Sequence, residues 1–109
     1  MLEALFGTVN REKVLLYILA REEGYPREVA KFYEADLRSV QNQFEKLEAG
    51  GVLYSRLLGK TRLYVFNPRY PFLVELKTIL EKALAFYPEE EKDRLLMGRR
   101  RPRRAGKPL

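Results

Sequence analysis

Polar side chains that can donate and accept hydrogen bonds lie together in one short stretch, residues 37–49. They are Arg38, Ser39, Gln41, Asn42 and Gln43, and their chemistry suits contacts with the bases of DNA. Arginine can donate to O6 and N7 of guanine together, and asparagine or glutamine can bond N6 and N7 of adenine. Base edges of this kind are displayed in the major groove, which is wide enough to admit an α-helix. The alternative is a solvated polar face of the kind that every surface helix carries.

The helix that must position these side chains is predicted from one apolar stripe. The stripe consists of Leu37, Val40, Phe44 and Leu47, which follow helical spacing. Asp36 is suited to cap the first turn, and Gly50-Gly51 ends the helix. Successive residues are about 100° apart on a helix, so the opposite face centres on Asn42.

The neighbouring segments predict a helix-turn-helix followed by a β-hairpin. Pro26 fits the first turn of a short helix, and Glu34-Ala35 forms the turn before Asp36. Residues 52–58 and 62–66 are predicted strands, joined at Gly59-Lys60. The second strand is apolar on both faces, so we expect another element to cover it.

Basic side chains of this hairpin are candidates for contacts with the DNA backbone. They are Arg56, Lys60 and Arg62, with Lys46 near the end of the preceding helix. Contacts with phosphate or the minor groove position a protein but carry little sequence information. Scattered surface charge on a hairpin is the alternative, because residues 36–62 carry five basic and three acidic residues.

Helices are predicted on either side of this unit. Residues 2–6 form a short apolar turn of helix, and the next helix is predicted from an N-cap at Asn10 to Gly24. The segment 72–87 is a further predicted helix, and residues 89–97 form a last short one.

The apolar residues of segment 72–87 span about 160° of the helix, wider than the stripe of about 100° that a simple surface helix needs. Such a helix can pack deeply on its own domain, or it can contact its own domain on one side and a second subunit on the other. For the second interpretation the dimerisation residues are Leu73, Leu76, Ile79, Leu80, Ala83, Leu84 and Tyr87.

The net charge of +6 comes entirely from the last twelve of the 109 residues. Residues 98–109 contain six basic residues and no acid, so residues 1–97 are formally neutral with 15 basic and 15 acidic residues. We expect one domain over residues 1–97 and a basic, disordered tail over 98–109. The arginines available for non-specific contacts with a polyanion are Arg99, Arg100, Arg101, Arg103 and Arg104. A solubilising tail is the alternative.

The composition argues against several other classes of protein. The chain has no cysteine and no histidine, which removes disulfides, thiolate chemistry and the commonest metal ligand and general base. No secretory signal is visible at the start, and segment 72–87 is too charged to span a membrane. We find no enzyme constellation, and we expect a cytoplasmic protein without a metal or other cofactor.

Several of these residues resemble small prokaryotic winged helix-turn-helix regulators of the ArsR-like superfamily. The resemblance covers about residues 4–87 and is carried by Leu5-Phe6-Gly7, Arg11, Val14-Leu15, Pro26–Ala30, Ser39-Val40, Phe44, Lys46–Leu53, Tyr64 and Asn67-Pro68. It implies a homodimeric bacterial regulator of transcription, a repressor or an accessory regulator. Its partner is double-stranded DNA, contacted by the wing tip at residues 58–62. The bases are read by Arg38, Ser39, Gln41, Asn42 and Gln43.

Two features depart from the family pattern. Many relatives carry basic residues where this chain has Gln41 and Asn42. The metal-sensing branch uses cysteine and histidine, and this chain has neither.

Two other functions remain open at this point. The winged domain can act as an adaptor that binds a partner protein, or the wing and tail can bind RNA, with Tyr54 and Tyr64 stacking on bases.

Overall fold

The structure is a computed structural model, and it describes residues 1–97. Helices and strands follow in the order α1 (Glu3–Phe6), α2 (Val9–Arg21), α3 (Pro26–Tyr33), α4 (Leu37–Ala49), β1 (Leu53–Leu58), β2 (Thr61–Phe66), α5 (Leu73–Ala85) and α6 (Glu89–Met97). The strands pair antiparallel, and Leu58 faces Thr61 across the turn. The predicted mainly helical fold with a two-stranded hairpin is confirmed.

Helix α2 lies at the centre of the core. The helix buries seven side chains, namely Glu12, Val14, Leu15, Leu16, Tyr17, Ile18 and Ala20. Helices α3, α4, α5 and α6 all pack on it. The positions of the other helices are therefore set largely by their contacts with this one.

Both ends of α2 differ from the sequence prediction. The N-cap is Thr8, whose Oγ1 accepts a hydrogen bond from the backbone N–H of Arg11 (3.0 Å). The helix begins at Val9, so the predicted N-cap Asn10 is wrong and lies inside the first turn. At the other end the helix is capped by Glu22 in the left-handed conformation (φ 75°), and not by Gly24 as predicted. Gly24 has another role.

That role of Gly24 is to pair with β2 along the edge that β1 leaves open. Its N–H donates to the carbonyl of Tyr64 (3.1 Å), and the N–H of Tyr64 donates back to the carbonyl of Gly24 (2.9 Å). A Cβ at this position would lie 3.1 Å from both Ile18 Cδ1 and Tyr17 Cε1, closer than ordinary packing. Glycine thus permits the chain to pass between α2 and the hairpin.

Cover on both faces of β2 is also as expected. On one face Tyr64 packs on Phe44 of α4, with ring centroids 4.5 Å apart, and Phe66 packs against the core. On the other face Leu63 is buried. The hairpin is therefore held to the helical body along most of its second strand.

A buried carboxylate joins the first residues to α2 and to the end of α5. Glu12 is almost fully buried, and it accepts hydrogen bonds from the N–H of Leu2 (2.7 Å) and the hydroxyl of Tyr87 (2.6 Å). Burial opposes its ionisation, but these hydrogen bonds and the α-amino group of Met1, 3.2 Å from Oε1, outweigh it and lower the pKa of Glu12 below its usual value. Burial and the bond to Glu12 raise the pKa of Tyr87.

Helix α6 is held at its C-terminal end by Arg21 of α2. The guanidinium donates to the carbonyls of Leu95 (2.9 Å) and Arg94 (3.0 Å), and it stacks on the ring of Tyr17 at 4.6 Å. A cation at this end of a helix satisfies carbonyls that have no partner within the helix. The predicted short helix over 89–97 is confirmed, and its last turn is tied to the core.

The remaining element bounds agree with the prediction to within one or two residues. Strand β1 begins at Leu53 and β2 at Thr61, and α5 runs from Leu73 to Ala85, between Phe72 as N-cap and Phe86 as C-cap. None of the helices that the structure describes is long and apolar enough to cross a membrane. The tail beyond residue 97, with its five arginines, lies outside the described residues.

Candidate nucleic-acid interface

The first turn of α4 is fixed by its cap. Asp36 accepts hydrogen bonds from the backbone N–H of Ser39 (2.9 Å) and from its hydroxyl (3.1 Å), as the predicted N-cap should. The Ser39 hydroxyl proton is therefore used within the protein. Ser39 retains acceptor capacity, but as a donor to a base it would have to leave Asp36.

The outer face of α4 carries the side chains that are available to a ligand. Arg38, Asn42 and Glu45 are exposed, and Ala49 follows them one turn later. At about 100° per residue these four positions fall within about 60° of one another, opposite the buried side of the helix. We call this set the reading stripe. Gln41 is half-buried at one margin, and Lys46 is exposed at the other.

Gln43 does not belong to this surface, which corrects its assignment as a base-reading residue. Its side chain is only 7% exposed, and its Oε1 accepts a hydrogen bond from Nε of Arg11 (2.8 Å). Nη1 of Arg11 also donates to the carbonyl of Phe6 (2.8 Å). Gln43 therefore links α4 to α1 and α2, on the side of the helix that faces away from a groove.

The wing extends from the body with its basic residues exposed. Arg56, Lys60 and Arg62 are all solvent-exposed. Gly59, with φ +64°, makes the turn that reverses the chain. Two apolar side chains accompany these cations, since Leu57 is 60% exposed and Leu58 also faces solvent. This was not expected from the strand pattern alone.

A polar bridge braces the wing against α4. The Ser55 hydroxyl donates to Oε2 of Glu48 (2.8 Å), and Nη1 of Arg62 donates to the Ser55 hydroxyl oxygen (3.0 Å). Arg62 is thus already oriented by the protein, whereas Arg56 and Lys60 make no side-chain hydrogen bond or ion pair within residues 1–97. Burial, and then the negative charges of Glu48 and Glu45, raise the pKa of Tyr64 beneath this bridge.

A cleft of about 270 Å³ separates the wing from the start of α3 and the face of α4. Its lining residues are Tyr25, Pro26, Arg27, Gln41, Glu45, Lys60, Thr61, Arg62 and Tyr64. Three of them are cations and one, Glu45, is an acid. Arg27 and Glu45 were not among the predicted site residues. Their positions relative to the wing depend on tertiary packing, which a helical pattern does not reveal.

Most of the predicted dimerisation residues face their own domain. Leu80 is fully buried and cannot contact a second subunit in this arrangement, which corrects its assignment. Ala83 is also buried, but it lines the apolar groove beside Ile79. Leu73 is half-buried, and Leu76, Leu84 and Tyr87 pack against the core. Of the predicted residues only Ile79 is exposed.

Other apolar side chains, in the first residues of the chain and along α5 and its caps, are open to solvent. The strongly exposed ones are Met1, Leu5, Phe72, Val74 and Phe86. Met1, Leu2, Ile79 and Phe86 also line one apolar groove between the first residues and α5. The spacing of apolar residues in the sequence predicts the width of the apolar arc of α5, but it does not show which half of that arc faces solvent.

Within residues 1–97 no three acidic side chains come together in a way that would hold a metal ion. The same residues contain no cysteine or histidine.

Solved structures of transcriptional regulators share this fold. MepR of Staphylococcus aureus, a transcription regulator of the multidrug efflux pump MepA, is 20% identical over 86% of this chain and 76% of its own, with a TM-score of 0.57. A mutant of MepR bound to an oligodeoxyribonucleotide matches with 20% identity, 86% and 75% coverage and a TM-score of 0.54. The transcriptional regulator Tm0710 of Thermotoga maritima is 18% identical over 88% of this chain and 73% of its own, with a TM-score of 0.55.

A regulator of the MarR family, Sco5413 of Streptomyces coelicolor, also matches, with 19% identity, 84% and 70% coverage and a TM-score of 0.50. No protein-family model matches this sequence, and no curated protein sequence matches it either. At this level of identity the likeness concerns the fold alone, and it does not extend to the ArsR-like group that the sequence resembles. The chain has the winged helix-turn-helix fold of these transcriptional regulators.

Proposed function

We propose that this chain binds double-stranded DNA as a homodimeric regulator of transcription and acts as a repressor. The observation that carries the proposal is the reading stripe of α4, whose polar side chains are exposed beside a cleft lined by Arg27, Lys60 and Arg62. The DNA-bound MepR mutant, which shares the fold, supports the same ligand. A metal or other cofactor is not part of the proposal.

In this proposal α4 enters the major groove and the wing follows the flanking backbone. Arg38 and Asn42 contact base edges, with Gln41 and Ser39 at the margin of the same surface. Arg56, Lys60, Arg62 and Lys46 contact phosphates, which gives affinity and orientation rather than sequence preference. Gln43 supports the helix from behind through Arg11.

The basic tail supplies further non-specific attraction. Its position is outside the described residues, so this part rests on its charge alone. If the five arginines of one tail each neutralise one phosphate, deleting residues 98–109 should reduce the slope of log K against log salt by about four to five for each bound protomer. An unchanged slope would remove the tail from DNA binding.

The dimer is proposed to form through α5 and the first residues of the chain. Exposed Ile79 and Phe86, together with Met1 and Leu2, form an apolar groove whose burial favours association. A two-fold dimer would present two copies of α4 about one DNA turn apart, so the operator should be an inverted repeat. We expect Ile79→Glu to shift the protein to a monomer in sedimentation experiments and to weaken operator binding. A monomeric wild-type protein at micromolar concentration would refute this part.

An ArsR-like bacterial regulator acting in the cytoplasm is the finer form of the proposal. It rests on the quoted residues, chiefly the exit from α4 through Gly50-Gly51 into β1. Metal sensing does not belong to it, because the chain lacks the cysteine and histidine ligands of that branch.

The test is a retardation assay on genomic fragments, random duplex DNA and RNA, with the wild type and Arg38→Ala. We expect selected fragments to bind more tightly than random DNA. The substitution should cost about 1–3 kcal/mol on the selected site and much less on random DNA. Preference for RNA, or equal loss on both DNAs, would refute base reading by α4.

A role as a protein-binding adaptor is the second candidate, and two observations favour it. Residues 1–97 carry no net charge, and the wing exposes Leu57 and Leu58. Absence of binding to any nucleic acid in the same assay, with the protein folded, would favour the adaptor.

A further inference from the structure

One carboxylate, that of Glu45, lies within the surface proposed to contact DNA. It is exposed on the reading stripe two turns after Arg38, and it lines the cleft opposite Lys60 and Arg62. A negative charge in this place opposes the approach of phosphates. Glu45 therefore weakens DNA binding unless its carboxylate makes a favourable contact with the ligand.

The side chain of Glu45 is not used within the protein. None of the side-chain hydrogen bonds or ion pairs of residues 1–97 includes it, although three cations line the same cleft. Glu48, one turn further along, shows the contrast, because its carboxylate accepts the Ser55 hydroxyl and braces the wing. Glu45 therefore retains its full capacity to accept hydrogen bonds from a ligand.

The charges around Glu45 differ between the reading stripe and its two margins. Arg38 and Glu45 balance each other, so the outer line of α4 is neutral. The cations lie beside it, with Arg27 at the start of α3, Lys60 and Arg62 on the wing across the cleft, and Lys46 at the other margin. Phosphates are attracted to the cations on either side of the reading stripe and not to the stripe itself. Contacts with the DNA backbone and contacts with bases are therefore made by different residues.

We propose that Glu45 is a specificity-determining residue that accepts a hydrogen bond from the N4 amino group of cytosine in the major groove. This rests on the proposed function. Cytosine presents a donor and no acceptor at that edge, whereas thymine O4 and guanine O6 and N7 are acceptors that would face the carboxylate unfavourably. Adenine has a donor at N6, but its N7 acceptor lies beside it and repels a second carboxylate oxygen. Glu45 thus acts mainly by penalising wrong bases, which raises specificity more than affinity.

The test compares Glu45→Gln and Glu45→Ala with the wild type on a library of duplexes randomised around the selected operator. The wild type should prefer cytosine at one position of each half-site by about fivefold to 100-fold, the range of a single mismatched pair. Glu45→Gln should shift that preference to adenine, because an amide can bond N6 and N7 together. Glu45→Ala should abolish it and bind random DNA more tightly than the wild type.

The matched control is Glu90→Gln, which removes the same charge from the exposed surface of α6. It should leave the base preference unchanged, and the melting temperature of each variant shows that it is folded. Cytosine preference that persists in Glu45→Ala, or a profile that Glu45→Gln leaves unchanged, would overturn the inference while leaving DNA binding intact. A wild type with no preference for any duplex would overturn the proposed function itself.

Discussion

Helices α2 and α4 both carry polar side chains, but they use them in opposite ways. On α2, Glu12 is buried and satisfied by Tyr87 and Leu2, and Arg21 is bonded to the end of α6. On α4, Arg38 and Asn42 are exposed. A buried polar group needs an internal partner, whereas an exposed one is available to a ligand. The contrast separates the residues that hold the fold from those proposed to act.

The largest expected effect is on the α2 side of this comparison. We expect Glu12→Ala to lower the free energy of unfolding by about 3 kcal/mol, because it leaves the partly buried donors of Leu2 and Tyr87 without their charged acceptor. Asn42→Ala, on exposed α4 surface, should change it by less than about 0.5 kcal/mol. Urea denaturation followed by circular dichroism measures both. Equal losses in the two variants would break the comparison.

The next expected effect is a dependence of stability on pH. The pKa of Glu12 is lowered in the folded state, so its contribution is complete above the unfolded value of about 4.5 and is lost as the pH falls through the folded pKa. Tyr87→Phe removes one donor, which brings the folded pKa closer to the unfolded one. The acid-unfolding midpoint should therefore move to higher pH, with a loss of about 1.5–3 kcal/mol at neutral pH.

A midpoint that Tyr87→Phe leaves unchanged would show that this hydrogen bond does not control the ionisation of Glu12. Tyr54→Phe is the matched control, because Tyr54 is exposed on the wing. It should alter neither the midpoint nor the stability at neutral pH.

The smallest expected effect concerns the wing. Lys60→Ala should weaken binding about equally on operator and random DNA and reduce the salt slope by about one for each bound protomer, because it removes one phosphate contact from each. Affinity measured by fluorescence anisotropy at several salt concentrations gives this slope. If Lys60→Ala weakens binding to the operator alone, Lys60 contacts a base. Base contacts would then not be confined to the reading stripe.

Local patterns predicted α4 well because its cap, stripe and terminator lie in adjacent sequence. Asp36 and Gly50 define its ends, and Phe44 lies on its buried side, without reference to the rest of the chain. Gln43 was misassigned because its partner, Arg11, is 32 residues away. The same reason applies to Gly24, whose pairing with Tyr64 no helical pattern could reveal.

Two residues of the predicted dimer surface, Leu80 and Ala83, are buried for a different reason. A broad apolar arc on one helix does not show which part of the arc faces the core. Leu80 and Ala83 are buried because of the way α5 packs against α2. The exposed residues, Ile79 and Phe86, are distinguished only by that packing. Glu45 was likewise recognised as a site residue only when the cleft beside the wing was visible.

Two adjacent amides allow the most direct test of base reading by α4. Asn42 is exposed on the reading stripe, and Gln43 is buried against Arg11. The measurement is the ratio of operator affinity to random-DNA affinity for Asn42→Ala and Gln43→Ala, at a temperature where both are folded. We predict that Asn42→Ala lowers this ratio by about fivefold to 100-fold, as loss of one base contact should. Gln43→Ala should leave it unchanged. A ratio that Asn42→Ala does not alter, or that only Gln43→Ala lowers, would contradict the assignment of the outer face of α4 as the reading surface.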